Sequence, residues 1–351
     1  MKSILERWQD TWKRLSQSPA EMPIRLAIPR DHVQGGDKLG KTIDPNEHYF
    51  QIRVNEMYLT YDRKWFSEYD PMVFVVSEFT YDKKEEAVPF VVGPMMLEKF
   101  GQKLPAGMIF ADTRVAGLHP YRGGRLAIAL VLCRVKREDY ARKLLQIVEG
   151  IAGVLDFSST LSTYLKVGSV VLDGVEALLG SGDTHPLVGY RKEFDPDAGE
   201  MLEPSYFALI DMPEGQPDGN EFWVSNNQLR RGRSLADAQP FRDSDFVLYS
   251  ITQTPMRRDL TTLPFYPLYE RVIKEAMESN TADRWNVTKA DMTSLAQTMR
   301  FSPDLTPRQA KELREKYTGE MAEEHEKAVA ESSRAGAVDS GLREIAKILN
   351  L

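Results

Sequence analysis

A long apolar segment in the middle of the chain constrains the fold more than any other feature of the sequence. Its apolar residues recur at spacings of three and four, which predicts helices with a wide apolar stripe. Within residues 150–179 there are four charged side chains: Asp156, Lys166, Asp173 and Glu176. Such a stripe has to be covered by the rest of the chain, by another chain or by a membrane.

The same segment is too long for one ordinary helix. A continuous helix over residues 138–179 would be roughly 60 Å long. The stretch Asp156-Phe157-Ser158-Ser159 interrupts the apolar pattern near its middle. We therefore predict an apolar helical hairpin over residues 137–180.

Residues 18–136, before the hairpin, predict a β-rich domain. Short apolar or alternating segments typical of strands occur at residues 24–28, 48–60, 72–76, 88–92, 107–111 and 124–135. Strands that follow one another without long helices between them favour an antiparallel sandwich or barrel. The glycine pair in Tyr121-Arg122-Gly123-Gly124 predicts a tight turn before the last strand.

Strand patterns return in residues 181–260. They cover residues 205–211, 221–225 and 245–252. These strands could rejoin the first sheet, which would make the hairpin an insertion. They could instead form a second small sheet, and the sequence leaves both arrangements open.

Residues 261–334 predict a helical region. Thr306-Pro307-Arg308-Gln309 is typical of a helix start, with threonine at the N-cap and proline in the first turn. Within residues 335–351, the small residues 335–341 predict a flexible linker before a short C-terminal docking helix. Together the segments predict an α+β fold: an antiparallel β-sandwich-like body with an apolar helical hairpin, a second strand group and C-terminal helices.

Amphipathic segments at both ends of the sequence indicate docking. Residues 1–17 predict a helix with Trp8 and Trp12 on its apolar face. The C-terminal segment presents a second set of apolar residues: Leu342, Ile345 and Leu349. Either helix could dock on its own chain or on a protein partner, including a second copy. The basic tryptophan helix could also lie on an anionic membrane surface, which we favour less.

Composition argues against several classes of protein. The net charge of −7 is unfavourable for a nucleic-acid binder. The single cysteine, Cys133, cannot build a disulfide framework or a cysteine zinc site. The five histidines form no metal-binding motif, so we expect neither a metal nor a cofactor. The sequence shows neither a secretory leader nor a membrane-spanning stretch, so we expect a cytoplasmic protein.

One glycine-rich segment resembles the phosphate-binding loop of P-loop nucleotidases. Residues 35–42 match the pattern GxxxxGK[ST]. The defining positions are Gly35, Gly40, Lys41 and Thr42. The resemblance implies that backbone amides and the lysine would hold phosphates. A true P-loop ends a strand and opens a helix, whereas here Pro45 follows and the next segment predicts a strand. A glycine-rich surface loop is the alternative interpretation.

A set of arginines could form an anion site if the fold brings them together. They are Arg230, Arg231, Arg233, Arg257 and Arg258. Guanidinium groups bind phosphates and carboxylates through paired hydrogen bonds, so convergence would suit a phosphate, a nucleotide or an acidic protein segment. Dispersed, solvated arginines are the alternative.

No residue pattern supports a catalytic centre, and we assign no catalytic residues. The best acid–base candidate is Asp183-Thr184-His185, where a carboxylate, a hydroxyl and an imidazole are close enough to hydrogen-bond. A loop histidine bonded to its neighbours is the alternative.

The sequence therefore favours a non-enzymatic interaction or scaffold subunit of a cytoplasmic assembly, with a protein partner or self-association. Two alternatives stay open. One is a nucleotide-binding enzyme that uses residues 35–42. The other is a membrane-active protein that uses the tryptophan helix and residues 144–179.

Overall fold

The structure, a computed structural model, describes most of the chain. The described residues are 3–16, 24–39, 42–60, 63–64, 67–81, 84–93, 108–136, 160–180, 184–200, 202–212 and 218–348. They divide into two compact units, Met1–Arg257 and Arg258–Leu351. The fold is α+β with antiparallel sheets and C-terminal helices, as the sequence predicts.

Strands dominate the first unit and helices the second. The strands are β1 (Ile24–Ile28), β2 (Tyr49–Tyr58), β3 (Arg63–Lys64), β4 (Ser67–Tyr81), β5 (Lys84–Val92), β6 (Met108–Pro120), β7 (Leu126–Lys136), β8 (Thr184–Phe194), β9 (Ser205–Ile210), β10 (Phe222–Ser225), β11 (Gln228–Arg231), β12 (Gln239–Pro240) and β13 (Phe246–Thr254). The helices are α1 (Ile4–Ser16), α2 (Leu161–Gly180), α3 (Tyr266–Glu278), α4 (Ala282–Arg300) and α5 (Pro307–Ile348).

Two antiparallel sheets form the body of the first unit. The first sheet has the order β1-β9-β13-β2-β6, and the second has β3 and β5 both paired to β4, followed by β7 and β8. The strands after the hairpin region therefore take both arrangements that the sequence left open. β8, β9 and β13 join the two main sheets, while β10, β11 and β12 form a small third sheet.

The two main sheets share one apolar core, which makes them a sandwich. The core includes side chains from the first sheet, such as Ile52 and Val247, and from the second sheet, such as Val75 and Leu130. All are essentially buried. Alternate residues of each strand point into this core, and the residues between them point to the opposite face of the sheet.

Two helices cover the outer face of the second sheet. Trp8 of α1 and Val171 and Val175 of α2 pack against Phe74 and Val131 of the sheet. The second half of the predicted hairpin is therefore a helix whose apolar stripe is covered by its own chain. The first half, residues 137–159, lies outside the described residues.

The small third sheet covers the outer face of the first sheet. Phe222, Leu229 and Phe241 pack against Phe246 and Leu248 of β13. A two-residue turn joins β10 to β11, because Asn226 and Asn227 both adopt positive φ, 53° and 61°. Asparagine tolerates this backbone region better than most residues, and such turns match the twist of a hairpin.

The predicted turn at residues 121–124 carries the chain from one sheet to the other. β6 ends at the edge of the first sheet and β7 begins inside the second. Gly123 and Gly124 both have φ near +80°, a conformation that side chains with a Cβ rarely adopt. The two glycines are therefore required by the path of the chain between the sheets.

The second unit is a three-helix bundle. Its core contains Val272 of α3, Leu295 and Met299 of α4, and Leu313 and Tyr317 of α5. The start of α5 is capped as the sequence predicts, because the backbone N–H of Gln309 donates to Thr306 Oγ1 at 3.1 Å.

One expectation about the C-terminal region needs correction. Residues 335–341, expected as a flexible linker before a separate docking helix, belong to the continuous helix α5. Each glycine costs a helix about 1 kcal/mol relative to alanine. Two glycines among alanines are tolerated, since the long helix before them is already formed and its extension needs no new nucleation.

We expect Trp8→Ala to destabilise the first unit by about 3–5 kcal/mol, because it leaves a large cavity under α1. Trp12→Ala is a matched control on the same helix and should cost less, since Trp12 is only half-buried. Urea unfolding followed by far-ultraviolet circular dichroism measures both. Equal losses for the two variants would contradict the packing of α1 described above.

Candidate interaction site

Helix α5 is much longer than the helices it packs against. It has 42 residues, against 13 in α3 and 19 in α4. At about 1.5 Å per residue, α5 is about 63 Å long and α4 about 28 Å. Only about half of α5 can therefore be covered by the other two helices of the bundle.

The end of the bundle is marked by His325 of α5. Its ring stacks on Trp285 in the first turn of α4, with centroids 3.8 Å apart and planes 1° apart. Its Nδ1 lies 2.8 Å from the Oγ of Ser279, which follows α3. The connection between α3 and α4 is therefore level with His325, and the helix continues past it.

Beyond this level, side chains of α5 become exposed. Ala328 is still buried, whereas Val329 is 40% exposed and residues 331–334 are also exposed. The backbone stays helical to Ile348. We call residues 329–348 the α5 extension; it is about 30 Å long.

The predicted C-terminal interaction residues belong to this region. Leu342 and Ile345 lie in the α5 extension, and Leu349 follows its last residue. Position 342 lies fourteen residues after Ala328 in the sequence. The helix backbone thus continues past the end of its bundle, and the role of these residues in binding stays a prediction.

At the other end of the chain, Trp8 is built into its own protein. The indole is 1% exposed, and its Nε1–H donates to Glu78 Oε1 at 2.9 Å. Arg191 completes this contact, because two of its nitrogens donate to the two oxygens of Glu78, each at 3.0 Å. Trp12 is half-buried beside Trp8. Neither tryptophan presents a free apolar face while α1 is docked.

The P-loop-like segment has a different local structure from a P-loop. Gly35 adopts a positive φ of 75°, and a Cβ on Gly36 would lie 2.1 Å from the carbonyl oxygen of Arg30. Both glycines are thus required by a tight turn. After Thr42 the described chain passes through a turn into β2, so no α-helix follows the segment among residues 42–60. Gly40 and Lys41 lie outside the described residues.

We expect calorimetry to detect no saturable binding of magnesium ATP or magnesium GTP, because the segment opens no helix that could supply an anion site. The Lys41→Ala variant should give the same titration as the natural chain. Saturable binding that is lost in this variant would instead restore the nucleotide-binding interpretation.

The arginines of β11 are engaged by groups of the small sheet. Arg230 donates from Nη1 to the carbonyl oxygen of Ala238 at 2.7 Å. Arg231 forms an ion pair with Glu221 at 2.8 Å and a longer one with Asp243 at 3.5 Å. These contacts tie the short strands of the small sheet together.

The structure does not bring Arg257 to these arginines. Arg257 is buried beside His119, which lies opposite Phe50 at the start of β2. β11 instead contacts Glu56 near the end of β2, about 20 Å away along the strand. Arg233 is exposed in the loop after β11, and Arg258 begins the second unit. A single anion site that includes both Arg230 and Arg257 therefore does not form.

The residues of the acid–base candidate do not form one site. Asp183 lies outside the described residues. Thr184 and His185 are consecutive in β8, where Thr184 is buried and His185 is exposed. Consecutive strand residues point to opposite faces, so the hydroxyl and the imidazole do not face one reacting group.

Sequence reasoning missed two buried ionisable side chains, Glu56 and His119. Both are fully buried. Burial lowers the pKa of His119 to about 3, with further lowering by the nearby positive charges of Arg257 and Arg114. The imidazole is therefore neutral at physiological pH. Both strands contain several other polar residues, so nothing in the sequence indicated that these two side chains are buried.

Glu56 connects the first sheet to the small third sheet. Its Oε2 accepts a hydrogen bond from the backbone N–H of Leu229 at 2.7 Å, and its Oε1 accepts from Arg242 at 2.7 Å. Burial raises the pKa of Glu56 to about 7, although these donors and the charge of Arg230 act in the opposite direction. The contact is thus sensitive to pH near neutrality.

Comparison with known proteins finds no matching family model, curated protein or solved structure. Within the described residues, no group of three or more His, Cys, Asp or Glu side chains could hold a metal ion. The helices of that same part of the chain include none with the length and apolar character needed to cross a bilayer. The candidate site is therefore defined by geometry alone, and its clearest feature is the α5 extension.

The raised pKa of Glu56 predicts that this group makes the fold less stable as pH rises. The folded state holds a proton that the unfolded state releases above pH 4.5, so stability falls between about pH 4.5 and 7, by about 3 kcal/mol. Urea unfolding at pH 5, 6 and 7 measures the effect. Glu56→Gln should remove this component, and an unchanged pH profile in the variant would contradict the assignment.

Proposed function

We propose that the protein is a non-enzymatic interaction or scaffold subunit that binds another polypeptide through the α5 extension. The observation that carries this proposal is the length of α5. The helix continues about 35 Å past the contact of His325 with Trp285, as far as Ile348.

The physical argument is that a solitary amphipathic helix gains little from remaining exposed. The stability of helices in proteins comes mostly from packing of an apolar face. α3 ends and α4 begins level with His325, so neither helix can supply that packing. A helix from a partner, or a groove on its surface, would supply it.

The two alternative functions have weaker structural support. The segment at residues 35–42 lacks the strand–loop–helix arrangement of a nucleotide site in its described part. The membrane-active alternative needs α1 and α2 to expose their apolar faces, yet these faces pack on the second sheet with Trp8 and Val171 buried.

A truncation tests the proposal. We expect a chain that ends at Arg334 to lose the complexes that the full chain forms in the cells that make it, because most of the α5 extension is gone. Photo-crosslinking from position 338 should link the full chain to a second polypeptide. The matched control is the same crosslinker at Asn226, an exposed turn residue of the first unit, which should give no such product.

Thermal unfolding of the truncated chain is the control for folding. Its melting temperature should match that of the full chain, since the described core of the bundle reaches only to Met321. A marked drop in melting temperature, together with crosslinks only within one chain, would show that the extension packs on its own protein and would refute the proposal.

A further inference from the structure

We propose that the small third sheet is a hinged flap, and that protonation of Glu56 controls its docking on the first sheet. We call residues 218–242, which contain β10, β11 and β12, the flap. Two observations support the proposal: the flap is inserted between two paired strands, and one buried carboxyl group lies beneath it.

The two connections of the flap to the sandwich run side by side. The flap is inserted between β9 and β13, which are neighbours in the first sheet. Ile210, the last residue of β9, pairs with Phe246, the first residue of β13. One residue further out, the backbone N–H of Asp211 donates to the carbonyl oxygen of Asp245 at 2.9 Å. Rotation about this pair of connections would move the flap and leave the ladder of the first sheet intact.

The flap is held together by contacts of its own. β10 and β11 form an antiparallel ladder. The rings of Phe222 and Phe241 meet edge to face with centroids 5.3 Å apart, and Arg231 pairs with Glu221 at 2.8 Å. These contacts join parts of the flap to one another, so they can persist when the flap leaves the first sheet.

Opening of the flap breaks contacts at the surface of the first sheet but not in the core of the sandwich. Phe241 leaves Phe246, whose ring centroid is 5.5 Å away. The loop after β1 loses the hydrogen bond from the backbone N–H of Gln34 to the carbonyl oxygen of Val224, at 2.9 Å. The core between the two main sheets is a separate cluster. Opening should therefore cost less free energy than unfolding of the whole unit.

Glu56 lies beneath the flap, which supplies a donor to each of its carboxyl oxygens. The side chain is fully buried. Leu229 of β11 donates its backbone N–H to Oε2, and Arg242 donates to Oε1, each at 2.7 Å. When the flap opens, both donors leave with it and water reaches the carboxyl group.

Two charges that act on Glu56 also come from the flap. They are the guanidinium groups of Arg242 and Arg230. On the neighbouring strands, the residues paired with Glu56 are uncharged: Leu248 of β13 and Phe110 of β6. The flap therefore sets the environment in which this carboxyl group titrates.

Docking of the flap takes up a proton. Burial raises the pKa of Glu56 to about 7, whereas a solvated group in the open flap would keep its ordinary pKa of 4.5. The stabilisation of the docked flap is therefore complete below about pH 4.5 and is lost as pH rises through about 7. Between pH 6 and pH 8 the docking equilibrium constant should fall about tenfold.

Hydrogen exchange at single amides tests the flap in the natural chain. The Gln34 N–H is the reporter, because opening frees it and its acceptor is Val224 rather than Glu56. After correction for the intrinsic exchange rate, its protection should be lower than that of the β4–β7 ladder and less sensitive to urea, as expected for local opening. This protection should fall about tenfold between pH 6 and pH 8.

Two variants separate Glu56 from other titrating groups. Glu56→Gln carries no charge at either pH, so protection of the Gln34 amide should change by less than about twofold. Glu221→Gln is the matched control, because it changes an exposed carboxylate inside the flap. This control should keep the full response to pH.

Equal protection and equal urea sensitivity for Gln34 and the β4–β7 ladder would show that the flap opens only when the whole unit unfolds, and would overturn the hinge. Protection of Gln34 that is the same at pH 6 and pH 8 would overturn the role of Glu56, and so would a fall that persists in Glu56→Gln. The first two outcomes are read from the natural chain, so they do not depend on how a variant folds.

Discussion

Exclusion of water from both faces of the second sheet is the constraint on which the first unit depends. In β7 every residue from Leu126 to Cys133 is buried. Alternate side chains of this run belong to two different cores. A strand that is apolar on both faces needs a cover on each side. The first sheet supplies one cover and the helices α1 and α2 supply the other, so the layering follows from the sequence of one strand.

Two buried carboxylates determine where α1 and the small third sheet dock on the sandwich. Glu78 joins α1 to the second sheet through Trp8 and Arg191, and Glu56 joins the small sheet to the first sheet through Arg242. Removing a charge from water is costly, so such contacts add little net stability. Their value lies in selectivity, since a layer docked in another register would leave a buried carboxylate without its donors.

Much of the fold could be predicted from the sequence, and the reason is periodicity. Residues 24–28, 205–211 and 245–252 were predicted as strands and correspond to β1, β9 and β13. β8 was missed, because its polar residues resemble a loop. The hydrogen bonds and ion pairs of Glu56 and Glu78 could not be predicted, since they join residues that are far apart in the sequence. The candidate site was also predicted only in part. The sequence indicated an amphipathic C-terminal helix at Leu342, but only the structure showed that this segment continues a helix of the bundle.

The docking of α1 has a consequence for how the chain is made. α1 is synthesised well before the partners of Trp8, because Glu78 follows it by 70 residues and Arg191 lies farther still. Until β8 has left the ribosome, α1 has no complete surface to settle on, and its two tryptophans face water. Closure of this layer is therefore a late event in folding.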